Sequence, residues 1–176
     1  MSFADAVTTC LRKFATFSGR ASRPEYWWFT LFVVGGSLAL SVLDAAIFGA
    51  RAVEVAPGVI EYRSEGVLAT GFFLVTLLPG LSAGWRRMHD SGRSGLHLLY
   101  PLIVMVGIGG FASVVSGLDA VLAGDLRAIL FGASAIVMHV AFLIFLISPL
   151  IVVYWLTRPS EPGSNRFGPN PQEVRP

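Results

Sequence analysis

The chain has 176 residues, 54% of them hydrophobic and only 14% charged, with a formal net charge of +2 and a mean hydropathy of +0.67. A soluble domain carries about a quarter charged residues, and one of this size has too little interior to hide so much apolar surface. These figures exclude a disordered polar protein, a disulfide scaffold and an ordinary cytosolic enzyme, and they predict an all-α integral membrane protein.

At the N-terminus, Ser2 and Asp5 stand at capping-box spacing, with Asp in place of the usual Glu. Phe3, Val7, Leu11 and Phe14 recur on one helical face, while Arg12 and Lys13 leave on another. The segment predicts an amphipathic helix, lying in the membrane interface or capping a bundle. It lacks the apolar core of a cleavable signal peptide. Cys10 is the single cysteine. It has no internal disulfide partner and reads as a small apolar filler.

Four apolar stretches follow, at residues 27–49, 66–85, 96–116 and 128–156, each long enough to cross a bilayer. The first contains Asp44. Its 11 Leu, Ile, Val or Phe residues supply about −3 to −7 kcal/mol against about +3 for a mid-helix Asp, so insertion wins. Asp44 falls about 25 Å along the helix, which predicts a water-facing helix end. The outer loop 51–65 has five charges and a Val59-Ile60-Glu61-Tyr62 run; a plain loop is the expectation, a short strand the alternative. In the second stretch Gly80 and Gly84 form a GxxxG pattern, a helix-packing device. The fourth holds 17 Leu, Ile, Val or Phe residues and is longer than a bilayer requires, so it tilts, kinks or starts in the interface. Its His139 is an intramembrane ionisable group. Asp44 is the one acid placed to pair with it.

Pro79, Pro101 and Pro149 lie at similar depth in three stretches. Kinks there predict a cup opening below the basic end. The tail from Pro159 has five prolines and two glycines and predicts an extended or disordered segment, 159–176, outside a single membrane domain of residues 1–158.

Ten of the thirteen basic residues fall in the N-terminal segment, the loop after the second stretch and the tail; Arg51, Arg63 and Arg127 fall in the other two loops. The positive-inside rule then sets both termini in the cytoplasm. Trp27, Trp28, Trp85 and Trp155 all stand at that side, as interface anchors do.

The sequence carries no Walker loop, zinc spacing or nucleophile elbow, and no metal or cofactor is expected. Three polar segments remain: Phe17-Ser18-Gly19-Arg20-Ala21-Ser22-Arg23-Pro24-Glu25-Tyr26-Trp27-Trp28-Phe29, Arg86-Arg87-Met88-His89-Asp90-Ser91-Gly92-Arg93-Ser94-Gly95, and Pro162-Gly163-Ser164-Asn165-Arg166-Phe167-Gly168-Pro169-Asn170-Pro171. In this order, with these apolar stretches between them, the chain resembles the bacterial inner-membrane proteins of the domain-of-unknown-function-805 family over residues 10–171. The resemblance implies a small helical inner-membrane protein and brings no established activity. Leu96 stands where the family has an aromatic residue, and the outer loops are longer.

The topology gathers Arg20, Arg23, Arg86, Arg87, Arg93 and Arg166 around Glu25, His89 and Asp90. One expectation is a salt-bridge lattice in which Glu25 and Asp90 pair the arginines. Another is an anion site, because guanidinium forks fit phosphate or carboxylate. Gly92 and Gly95 would admit backbone N–H groups beside a helix N-terminus. Anionic lipid headgroups are the abundant anion at that depth. The leading function is therefore binding of anionic lipid, or of a cytoplasmic protein or second copy, with no nucleic-acid role. The alternatives are a small-solute transporter subunit, and an enzyme acting on lipid headgroups through His89 and Asp90.

Overall fold

A computed structural model describes residues 1–49, 51–63, 66–132 and 135–173. Glu65 of the outer loop, residues 133–134 of the fourth stretch and Arg175 of the tail lie outside the described residues.

The chain opens with α1 (Phe3–Arg12), capped by Ser2 and Asp5 in a reciprocal box. Ser22 caps α2 (Arg23–Phe48), with Pro24 in its first turn, where a missing N–H costs nothing. A β-hairpin follows, β1 (Arg51–Ala56) antiparallel to β2 (Val59–Arg63). The plain-loop expectation is thus corrected. Pro57 sets the turn, and Gly58 takes the left-handed φ of +77° that Pro-Gly turns require. Next come α3 (Val67–Asp90), a 3-10 turn (Gly95–Leu99), α4 (Tyr100–Ser116), the short α5 (Leu118–Leu122) and α6 (Leu126–Phe131), and α7 (Ala135–Thr157). Four helical segments, at Arg23–Phe48, Val67–Asp90, Gly95–Ser116 and Ala135–Thr157, are long and apolar enough to span a membrane.

The helices pair α2 with α3 and α4 with α7, and α1 lies across α2 and α3. The faces turned outward are apolar: Val42 is 70% exposed, Val114 86% and Ile136 83%. In water this would be untenable; in a bilayer lipid covers it. Buried packing concentrates near the basic end. Cys10, Phe29 and Ala83 form one cluster, and Met88, Val152 and Leu156 another, which joins α3 to α7.

On α1 Ala6 and Cys10 are buried, small enough to let α1 approach α2 and α3 closely, while Phe3, Leu11 and Phe14 of the apolar stripe stay exposed. Phe3 packs edge-on to Trp28. The fourth stretch is not one helix: α6 stops at Gly132, where a Cβ would meet the Ala128 carbonyl at 2.7 Å. Asp44 is fully buried, not water-facing. Its two oxygens accept the Leu68 and Ala69 N–H groups, each at 2.9 Å, and so cap the first turn of α3, whose own N-cap is Gly66. A carboxylate suits that positive helix end. The cup is also corrected. Pro101 sits in the first turn of α4 and kinks nothing, and Met88, Val152, Leu156, Tyr26 and Leu98 fill the space below the arginines. Gly84 serves a close approach: a Cβ there would meet Leu98 at 2.8 Å.

Candidate functional site

The arginine-bearing segment after the second stretch is helical through Asp90. This one departure from the expected loop sets the site. One helical turn brings Arg87 Nη1 onto Asp90 Oδ2, three residues on, as an ion pair with both side chains fully buried. Arg20, from the loop between α1 and α2, reaches the other oxygen: Nε to Oδ1 is 2.9 Å. Ser160 donates to Asp90 Oδ2 at 2.5 Å. Asp90 thus takes two guanidiniums and a hydroxyl while buried from water. A buried charge is tolerable only with such pairing.

The same arginines hold backbone. Arg87 Nε donates to the Leu156 carbonyl at 2.9 Å and Nη2 to that of Arg158, fixing the end of α7. Arg20 Nη2 donates to Glu161 O at 2.6 Å, and Nη1 to Gly163 O at 2.8 Å. Glu161 N–H returns to Asp90 O at 2.8 Å. The tail is therefore not disordered over residues 159–173. It is clasped, because its carbonyls satisfy guanidinium donors that would otherwise be buried unpaired. His89 completes the clasp. Its ring stacks on Phe167 at 3.7 Å and 2°, and its Nδ1 lies 3.0 Å from Gly19 O. Asn165 donates to His89 O at 3.0 Å and to Glu161 Oε2 at 2.8 Å.

Arg86 faces the opposite way, pairing with Glu25 of α2 through Nη1. Its Nε and Nη2 are buried without a hydrogen-bond partner among the described residues. The Cys10 thiol lies in the same region, 3.8 Å from Glu25 O. Burial pushes its pKa up to about 11, with the Glu25 charge adding to the rise.

The six arginines thus divide. Arg20, Arg86 and Arg87 lie inside the lattice and are at most 7% exposed. Arg93, Arg166 and Arg23 lie outside it. Arg93 donates to Ser91 O and stands over the Trp155 ring; Arg166 stands over the Phe167 ring. Arg23 is exposed and makes no hydrogen bond or ion pair among the described residues. The two glycines of the expected anion loop face protein instead: a Cβ at Gly92 would meet Glu161 Oε2 at 2.8 Å, and one at Gly95 would strike the Trp85 ring. The chain's own carboxylate occupies that approach.

Arg23 lines a groove of about 770 Å³ along α2 with Pro24, Trp27, Trp28, Thr30, Leu31 and Val34, joined by Gln172 of the tail. Arg23, Trp27, Leu31 and Val34 share one helical stripe. The other sequence candidates are not brought together. His139 is exposed and bonds within its own helix, Nδ1 to Ala135 O at 2.7 Å, while Asp44 is committed to the α3 terminus. His89 and Asp90 turn to separate partners. Ser160, Glu161, Asn165 and Phe167 carry the clasp and were absent from the sequence candidates, although the Asn-Arg-Phe-Gly turn lay in a singled-out segment.

Fold and site together define a helical membrane protein with four apolar helices, closed at one end by a buried arginine–carboxylate lattice. The chain belongs to the family described as protein of unknown function (DUF805), whose profile matches residues 14–169. It is similar to inner membrane protein YhaH of Escherichia coli strain K12, 26% identical over 162 residues, 92% of each chain. It is also similar to inner membrane protein YhaI of the same strain, 34% identical over 97 residues, 55% of this chain and 70% of that one. No solved structure matches it.

Proposed function

We propose that the protein binds anionic phospholipid headgroups at its basic end, with Arg23 as the anchor. The observation that carries the reading is an exposed guanidinium, without a hydrogen-bond or ion-pair partner among the described residues, lining an apolar, tryptophan-rich groove. The lattice arginines cannot serve, because their donors are spent on Asp90, Glu25 and tail carbonyls or are buried. Among the described residues nothing bonds Arg23, which leaves its fork to a phosphate. Trp27 and Trp28 are amphipathic rings suited to headgroup depth, and each base near an anionic surface adds about 1 kcal/mol of attraction. The reading sets the basic end, with both termini, at the cytoplasmic face, since ten of thirteen basic residues fall in those segments.

Thermal unfolding in detergent tests it. Added phosphatidylglycerol should raise the melting temperature of the wild type more than phosphatidylcholine does, by linkage to the folded state. Arg23→Gln should erase that difference. Equal shifts with both lipids, or an undiminished difference in Arg23→Gln, would overturn the proposal.

A further inference from the structure

We infer that the bound lipid is a glycerophospholipid with one acyl chain laid between α2 and α3, an inference that rests on Arg23 as its headgroup anchor. The groove at Arg23 does not end at the interface. A second groove, of about 260 Å³, runs between α2 and α3, and the two share Thr30 and Val34 as lining residues. Phe29, Phe73, Leu77 and Gly80 floor the deeper part.

Three features suit a hydrocarbon chain. First, the two threonines in the deeper groove offer no polar group to it. Thr30 Oγ1 donates to Tyr26 O at 3.0 Å and Thr76 Oγ1 to Phe72 O at 2.8 Å, each within its own helix. Second, Gly80 brings no side chain of its own to the groove: a Cβ built there would sit in ordinary van der Waals contact with Phe29 Cε1, at 3.9 Å. Third, the length fits. Arg23 to Val34 spans about 16 Å at 1.5 Å per residue, about half of a ~30 Å hydrocarbon core. A cation at the headgroup level thus stands over an apolar track one leaflet deep. A soluble anion would use the cation and leave the track empty; a lipid phosphate with its chain uses both.

The test is native mass spectrometry of the full chain from gentle detergent with added phosphatidylglycerol. Wild type, Arg23→Gln, Gly80→Leu and Val34→Trp are compared, each checked for unchanged helical circular dichroism. Val34 is 52% exposed, so its substitution fills the shared section without disturbing packing. Wild type should retain one lipid, and both groove-filling variants should lose at least five-fold of that retention. Inorganic phosphate at equal concentration should not compete. Loss in Arg23→Gln with full retention in both Gly80→Leu and Val34→Trp would overturn the chain track and leave the headgroup reading standing. Full retention in Arg23→Gln would overturn the reading beneath it. Competition by phosphate would assign the site to a soluble anion. A dimer in place of the lipid adduct would assign the groove to a second copy.

Discussion

Arg20 Nε and Asp90 Oδ1 meet at 2.9 Å with side-chain exposures of 1% and 0%, joining residues seventy positions apart. Through this contact the α1–α2 loop, the end of α3 and the tail become one unit. Removing one member of such a pair leaves an uncompensated buried charge, which costs about 3–5 kcal/mol. Arg20→Ala should therefore lower the unfolding temperature in detergent and expose residues 159–173 to protease. Arg20→Lys should recover only part of this, since one ammonium cannot replace a fork that reaches Asp90, Glu161 and Gly163 together. Limited proteolysis with mass mapping reads both effects. A tail equally resistant in Arg20→Ala would contradict the clasp.

The Glu25–Arg86 pair behaves differently on double substitution. Glu25→Leu alone strands Arg86, whose other two nitrogens already lack partners among the described residues. It should cost about 3–5 kcal/mol. Glu25→Leu with Arg86→Met removes both charges and should recover most of that loss, as buried pairs replaced by apolar residues often do. A double-mutant cycle by denaturation in mixed micelles measures the coupling. Strict additivity would mean the pair carries no interaction.

Asp44 caps α3 from another helix. Asp44→Ala leaves two N–H groups without acceptors and should destabilise by about 1–3 kcal/mol for each. Asp44→Asn keeps an acceptor oxygen and should lie between that variant and wild type. Thermal unfolding of the three proteins ranks them; an Asp44→Ala protein as stable as wild type would remove the capping role.

Cys10 gives a pH-dependent prediction. Its pKa rises from an ordinary 9.0 to about 11, mainly through burial. A raised folded value means that docking of α1 favours the neutral thiol. That contribution is complete below about pH 9 and is lost as pH climbs through about 11. At pH 8 the thiolate fraction is about 0.1%, and only the thiolate attacks alkylating reagents. Native protein should resist iodoacetamide at pH 8, while denatured protein is labelled readily. Equal labelling rates in the two states would contradict the burial of Cys10.

The membrane-spanning architecture was legible because each span is a long, predominantly apolar run, with Asp44 the single Asp, Glu, Lys or Arg within the four stretches. The basic cluster was legible because its arginines sit in three short segments at one end. What escaped the reading was geometry set by tertiary partners. Arg86 to Asp90 reads as a charged loop, yet it is helical because Glu25, Arg20 and the tail neutralise it. The tail's composition speaks for disorder. Its order comes from guanidinium donors that only the folded chain gathers, Arg20 of the α1–α2 loop and Arg87 of α3. Asp44 looked like a water-facing end since nothing in its own helix needs it; its partners are the first N–H groups of α3, 24 and 25 residues on. Arg23 and Arg20 look alike in sequence. One is exposed at a groove and the other is buried in the lattice, a distinction that packing alone creates.

The central claim is that Arg23, and not basic charge in general, retains anionic lipid. The direct measurement is native mass spectrometry of the protein released into gentle detergent, comparing wild type, Arg23→Gln and Arg127→Gln, the last removing an equal charge from the α6 segment. A phosphatidylglycerol adduct should appear on wild type and Arg127→Gln and fall at least five-fold in Arg23→Gln. Equal adducts on all three proteins, or equal loss in both variants, would contradict it.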